Sequence, residues 1–196
     1  MGASPSAAPA AGAVPKAGDH VETAELLREA LSDAHRTLER TVAGLDQDAL
    51  DWSPTGTANP IGATLAHIIV SEDMVTNAIL ANRAPLLRTT FAGQTGLSEP
   101  MPMPGPDWAD YGAWARRLRV DLPALLAYGQ ATWAASDAFL SALAPADLDG
   151  DLDLSMVGHG HRTLGWAVLH MLVGHCDQIS GEIGCLKGLQ GRGGVG

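Results

Sequence analysis

Among the seven histidines, His67, His170 and His175 fall within helical apolar patterns, and a glutamate, Glu72, lies inside one of them. Helical bundles build divalent-metal sites from imidazoles on facing helices, because a neutral ring nitrogen ligates borderline ions such as zinc well. His67 sits on the flank of the stripe Ile61, Leu65, Ile68, Val75 and Ile79, roughly 120° from its centre. His175 adjoins Cys176, which belongs to the apolar stripe of a later helix. Both could therefore point into a groove between helices, and both read equally as half-buried packing histidines. His170 and His175 are about 140° apart around a helix, so only one of them can belong to a given site. Glu72 occupies a position where an apolar residue is expected, and a carboxylate there is either paired or functional. His159 and His161 flank Gly160 in a turn, where they either donate a ligand over the end of a bundle or stay solvated.

The elements that must position these residues can be read from period and punctuation. Asp19 and Glu22 have capping-box spacing, and Ala24, Leu27, Leu31, Ala34, Leu38, Val42 and Leu45 then recur at three and four, which predicts a first helix. Asp46 to Asn59 reads as a turn, and Pro60 suits the first position of a second helix capped by Asn59 and running to about Asn82. From Ala84 to Pro106 the pattern is lost in one long proline-rich connection, of the length that usually covers something. Trp108, Tyr111, Trp114 and Leu118 predict a short helix, and Asp121 caps a third long one carrying Leu126, Trp133, Leu140 and Leu143 to about Ala144. Leu152, Leu154 and Met156 alternate only long enough for a short extended segment. Thr163 caps a fourth helix with the stripe Leu169, Leu172, Cys176, Ile179, Ile183 and Leu186, ended by Gly188 and Gly191. The expected fold is all-α: a four-helix bundle over residues 19–191, with a disordered Ala/Pro-rich tail before it (1–18) and a loose tail after it (192–196).

Composition narrows the partners. With 12 basic against 22 acidic residues the chain carries a formal charge of −10, the wrong sign for gripping a phosphate backbone, so nucleic acid is not expected. No apolar run reaches the roughly 18 residues of a membrane span. Cys176 and Cys185 lie about 180° apart around one helix and about 13 Å along it, too far to pair, which points to a reducing compartment and a cytoplasmic location.

The segments PIGATLAHIIVSEDMVTNAIL (Pro60 to Leu80) and WAVLHMLVGHCDQISGEIGCLKGLQG (Trp166 to Gly191) resemble the DinB-like superfamily of bacterial four-helix bundles. That superfamily includes the metal-binding domain of mycothiol-dependent maleylpyruvate isomerase and related thiol S-transferases. The resemblance spans about residues 22 to 191. It implies a divalent ion, often zinc or nickel, held by one histidine from helix two and an H-x-x-x-H-x-G-Q pair from helix four, and it implies a homodimer. Carried over, His67 takes the helix-two position, His175 the first histidine of the pair, Gly181 the glycine and Glu182 the glutamine, while the second histidine falls on Ile179. A catalytic zinc site needs about three protein ligands, so the third must come from elsewhere: Glu72, Gln178, His159 or His161. Two functions follow. In one, a bound ion activates a low-molecular-weight thiol or water to attack a small electrophile, with Glu72 as base or orienter. In the other, the site has lost its metal and the chain is a non-catalytic, dimeric binding module for a small molecule.

Overall fold

The computed structural model describes residues 22–102 and 110–195. The expected tail, the Asp19 cap and Trp108 lie outside them. The first long helix, α1 (Thr23–Val42), starts at Glu22, which makes no side-chain cap bond, and buries Ala24, Leu27, Leu31, Ala34, Leu38 and Val42. Its face follows the expected stripe because the apolar residues recur at the helical period. A one-turn helix, α2 (Gln47–Asp51), is capped by Asp46, whose carboxylate accepts from Ala49 N.

The next helix, α3 (Ile61–Asp73), is buried on nearly every side, from Ile61 to Ala66 and again from Ile68 to Val70. A helix apolar all round must lie at the centre of the domain rather than on its surface. Pro60 itself is the cap residue, one position later than the sequence implied, with Asn59 outside the helix. The rod continues as a π-helical segment, Met74–Leu80, closed by Ala81 N donating to Thr76 O. Beyond it Asn82 takes a left-handed φ of 48°, which ends the rod.

Part of the expected irregular connection is ordered. Leu86–Arg88 form a 3-10 turn, and Leu97 bridges Val120 in antiparallel fashion. Then come α4 (Tyr111–Arg117) and α5 (Leu122–Ser141), the latter capped by Asp121 as its position implied. The face of α5 that packs inward centres on Leu125, Tyr128, Trp133 and Leu140, with Leu126 only partly covered. Two three-residue strands, β1 (Asp151–Asp153) and β2 (His161–Thr163), pair antiparallel. The last rod is continuous from α6 (Leu164–Ala167) through a π-helical segment, Val168–Val173, into α7 (Gly174–Leu189). Thr163 caps it through Trp166 N. Leu169, expected in the stripe, is 47% exposed, because the π segment shifts the register of the residues before α7. Residues 192–195, expected as a loose tail, lie against the body: Arg192 pairs with Asp46, and Lys187 Nζ donates to Gly194 O.

α1 and α3 each pack against both α5 and α7. The core divides into two clusters. One, around Leu38, Leu65, Ile69, Trp114, Leu125 and Ile183, surrounds the middle of α3; the other, around Leu31, Leu140, Val168 and Leu172, lies nearer the strands. No helix of the described residues is long and apolar enough to cross a membrane.

Asp73, fully buried, fastens the connection to the rods. Its carboxylate accepts from Asn77 Nδ2, from the backbone amides of Leu86 and Leu87, and from the Tyr128 hydroxyl, all within 2.7–2.9 Å. Removing it strands four donors. Asp73→Ala should therefore cost about 2–4 kcal/mol of unfolding free energy, read from urea denaturation midpoints, whereas truncating a solvent-facing carboxylate such as Glu39 should leave the midpoint within error.

Candidate functional site

The apolar surroundings of α3 decide what its polar residues can do. His67 projects towards α7, and its Nε2 lies 3.2 Å from Nε2 of His175. The rings meet edge to face, with centroids 5.0 Å apart and planes at 74°. At that distance one Nε2 carries the proton and donates it to the lone pair of the other. Two imidazolium rings cannot occupy this arrangement. Burial, followed by the proximity of His175, pushes the His67 pKa down to about 4. Burial also lowers that of His175, partly offset by the negative field of Glu72. The resting pair is neutral.

Tyr111, the first residue of α4, stacks edge-on against His67, with centroids 5.6 Å apart and planes at 77°. It is half-buried and also contacts Trp114. Burial and the charge of Glu182 raise its phenol well above the ordinary value, so the hydroxyl stays protonated. Cys176, next to His175, is driven in the same direction by burial, and is an inert thiol rather than a nucleophile. Both cysteines are free, Cys176 buried and Cys185 exposed.

Glu72 does not join the imidazole pair. Its two carboxylate oxygens lie 3.0 and 2.9 Å from Nε2 of His35 on α1, and Ser136 Oγ on α5 donates to one of them at 2.7 Å. Thr76 Oγ1 completes the chain 2.9 Å from Ser136 Oγ, and His35 stacks on Trp133 with centroids 4.9 Å apart. Both oxygens are engaged by these neighbours, and the carboxylate is nearly fully buried. The sequence identified Glu72 as paired or functional, and here it is paired. Its partners escaped the reading: His35 fits the stripe of α1 without breaking it, and Ser136 carries no periodic signal.

The remaining candidates are scattered. Gln178 is exposed on α7. His161 Nδ1 lies 2.9 Å from Asp151 Oδ2 on the surface, and His159 stands beside Trp166 with ring centroids 5.2 Å apart. His170 stacks nearly parallel on the same tryptophan, with ring centroids 4.4 Å apart. Trp114 and Trp133, expected on helix stripes, are core residues.

This geometry can be tested against a metal. Two nitrogens, each roughly 2.05 Å from one tetrahedral ion, stand about 3.3 Å apart, which the 3.2 Å Nε2 separation matches. Two ligands fit and a third does not follow. Ile179, one helical turn beyond His175, is 8% exposed and packs in the core. Among the described residues no group of three or more His, Cys, Asp or Glu side chains could share an ion. The donor set falls short of a three-ligand centre.

The profile of the DinB superfamily matches residues 30–178, a span that runs from α1 through His67 to His175. The chain belongs to the DinB superfamily. A crystal structure of a conserved protein from Enterococcus faecalis is similar to this DinB-superfamily chain with a TM-score of 0.72 and 19% identity, covering 87% of this chain and 98% of that one. At that identity the likeness shows the fold alone. Comparison with curated proteins gives no match.

The depressed His67 pKa sets a pH dependence. The unfolded chain takes up a proton on this residue near pH 6.5 and the folded chain only near 4, so between those values the unfolded state holds more protons and acid favours it. The contribution of the neutral ring is complete above about pH 6.5 and is lost as the pH falls towards 4, up to about 3 kcal/mol. Chelator-treated His67→Asn should show a correspondingly smaller loss of unfolding free energy than the wild type between pH 7 and pH 4.5, measured by urea titration at each pH.

Proposed function

We propose that this chain is a metal-independent, small-ligand-binding member of the DinB superfamily, its four long rods forming the family's four-helix bundle and its His67–His175 pair serving as the recognition centre. The observation that carries this reading is Ile179. An aliphatic side chain fills the core one turn beyond His175, where the resemblance calls for an imidazole, while Glu72, the nearest carboxylate on α3, is spent on His35 and Ser136. Two imidazoles alone bind zinc weakly. Without a third ligand, activation of a thiol or water by an ion has no support, and the two Nε2 atoms bond each other, leaving the outer ring edges of the neutral pair to meet a small molecule.

Metal titration tests this. Chelator-treated wild type should bind zinc or nickel only weakly. Ile179→His restores two imidazoles four residues apart on one helix face, with His67 across from them, and should tighten zinc binding by at least about tenfold. The affinity of the variant should fall as the pH drops and protons compete for the rings. Its metal-free form should unfold at lower urea, since a polar ring replaces an aliphatic side chain in the core. Stoichiometric, tight zinc in the wild type, purified without a histidine tag, overturns the proposal.

A further inference from the structure

The chain has two lysines, Lys16 and Lys187, and the second is buried near the end of α7. Its Nζ donates to Thr41 O of α1 at 2.7 Å and to Gly194 O at 3.1 Å. Among the described residues no carboxylate pairs with it. A buried ammonium held by carbonyl dipoles alone has given up its water without gaining a counter-charge. Gly194 belongs to a strap, residues 191–195, that folds back from α7. Gly191 takes a left-handed φ of 71°, and Arg192 N donates to Lys187 O. Arg192 Nη2 then meets both carboxylate oxygens of Asp46 at 3.1 Å, and Val195 seats over Gly184. The fit at Gly184 is close. A Cβ there would stand 2.6 Å from Val195 Cγ2 and 3.1 Å from Val195 N, and the nearest atoms it would meet all belong to the strap. Elsewhere the strap is held loosely: the Arg192–Asp46 pair lies at the surface, Val195 is 52% exposed, and a cavity of about 340 Å³ separates the strap from the turn at Ala43–Leu45.

We propose that this strap is a latch over Lys187: it opens while the helices stay folded, and its opening presents the Lys187 amine to acylating electrophiles as a modification site. Three of the residues 191–195 are glycines, which regain more backbone freedom on release than other residues do. Against that gain stand one surface ion pair, one half-exposed valine and one hydrogen bond from Lys187, and a surface pair contributes little. Release also returns water to the ammonium. These effects place the opening of the strap far below the unfolding of the bundle in free energy. The inference is independent of the histidine pair, since Lys187 lies 12 residues beyond His175, about 18 Å along the rod.

The test acetylates the whole chain with N-hydroxysuccinimidyl acetate at constant pH. The amine nitrogen forms an amide bond, N-hydroxysuccinimide leaves, and the amine proton passes to solvent. The rate at Lys187 is followed by peptide mass spectrometry, with Lys16 as the reference for reagent activity, and global unfolding is read separately from urea midpoints. In the wild type the rate at Lys187 should stay flat across the urea range in which the bundle is native, because opening a short strap exposes little surface. Truncation after Gly191 should raise it at least about fivefold and leave the midpoint within error. Gly184→Ala should raise it too while holding or raising the midpoint, because alanine favours the helix and its Cβ collides first with the strap. A tail that only adds stability would move the two readouts together. Acetylation of Lys187 that rises with urea in step with global unfolding, a rate unchanged by the truncation or by Gly184→Ala, or a midpoint that falls markedly on truncation overturns the inference.

Discussion

Two adjacent carboxylates at the end of α3 hold this molecule together. Glu72 and Asp73 are both essentially inaccessible to water, in a helix that is otherwise apolar on nearly every side. Burying a carboxylate is strongly unfavourable unless hydrogen bonds replace the lost water, and each partner then becomes obligatory. Because consecutive residues point about 100° apart on a helix, the two carboxylates recruit different neighbours. Glu72 takes His35 from α1 and Ser136 from α5; Asp73 takes Tyr128 from α5 and the amides of Leu86 and Leu87 from the connection. One turn of α3 thereby fixes two rods and the start of the connection.

That arrangement governs the candidate site. His67 lies five residues before Glu72 and faces a different rod, α7. Glu72 is anchored between α1 and α5, so it acts on His175 through its field and not by direct contact. The site is left with two imidazoles that satisfy one another and an aliphatic neighbour, Ile179. Ile179 packs in the core one turn beyond His175, and the pair stands as a neutral hydrogen-bonded unit whose protonation burial opposes. The same imidazoles that two-ligand geometry would offer to an ion are, in its absence, complementary donor and acceptor.

The sequence made some of this legible and left the rest hidden for physical reasons. The buried face of α1 and the caps Asp121 and Thr163 follow from period and local hydrogen bonding, which depend on neighbours in the chain. Leu169 was misplaced because a π-helical segment breaks the 3.6-residue period on which the stripe was counted. Pairing His67 with His175 rested on family resemblance rather than on spacing, since 108 residues separate them. The partners of Glu72 could not be read at all. His35 and Ser136 are 37 and 64 residues away, and neither residue type disturbs the pattern of its own helix. A buried carboxylate announces that partners exist without saying which.

On the proposed reading His67 and His175 are bonded directly to each other as one neutral pair without a metal. Long-range 1H–15N correlation of the imidazole nitrogens in chelator-treated protein at pH 7 tests it most directly. One Nε2 should be protonated and the other not, with a scalar coupling between the two nitrogens across the hydrogen bond, and adding an equivalent of zinc at micromolar protein should leave this pattern largely unchanged. Two imidazolium rings, two independent tautomers without coupling, or full conversion of both Nε2 signals to metal-bound shifts by that single equivalent would contradict it.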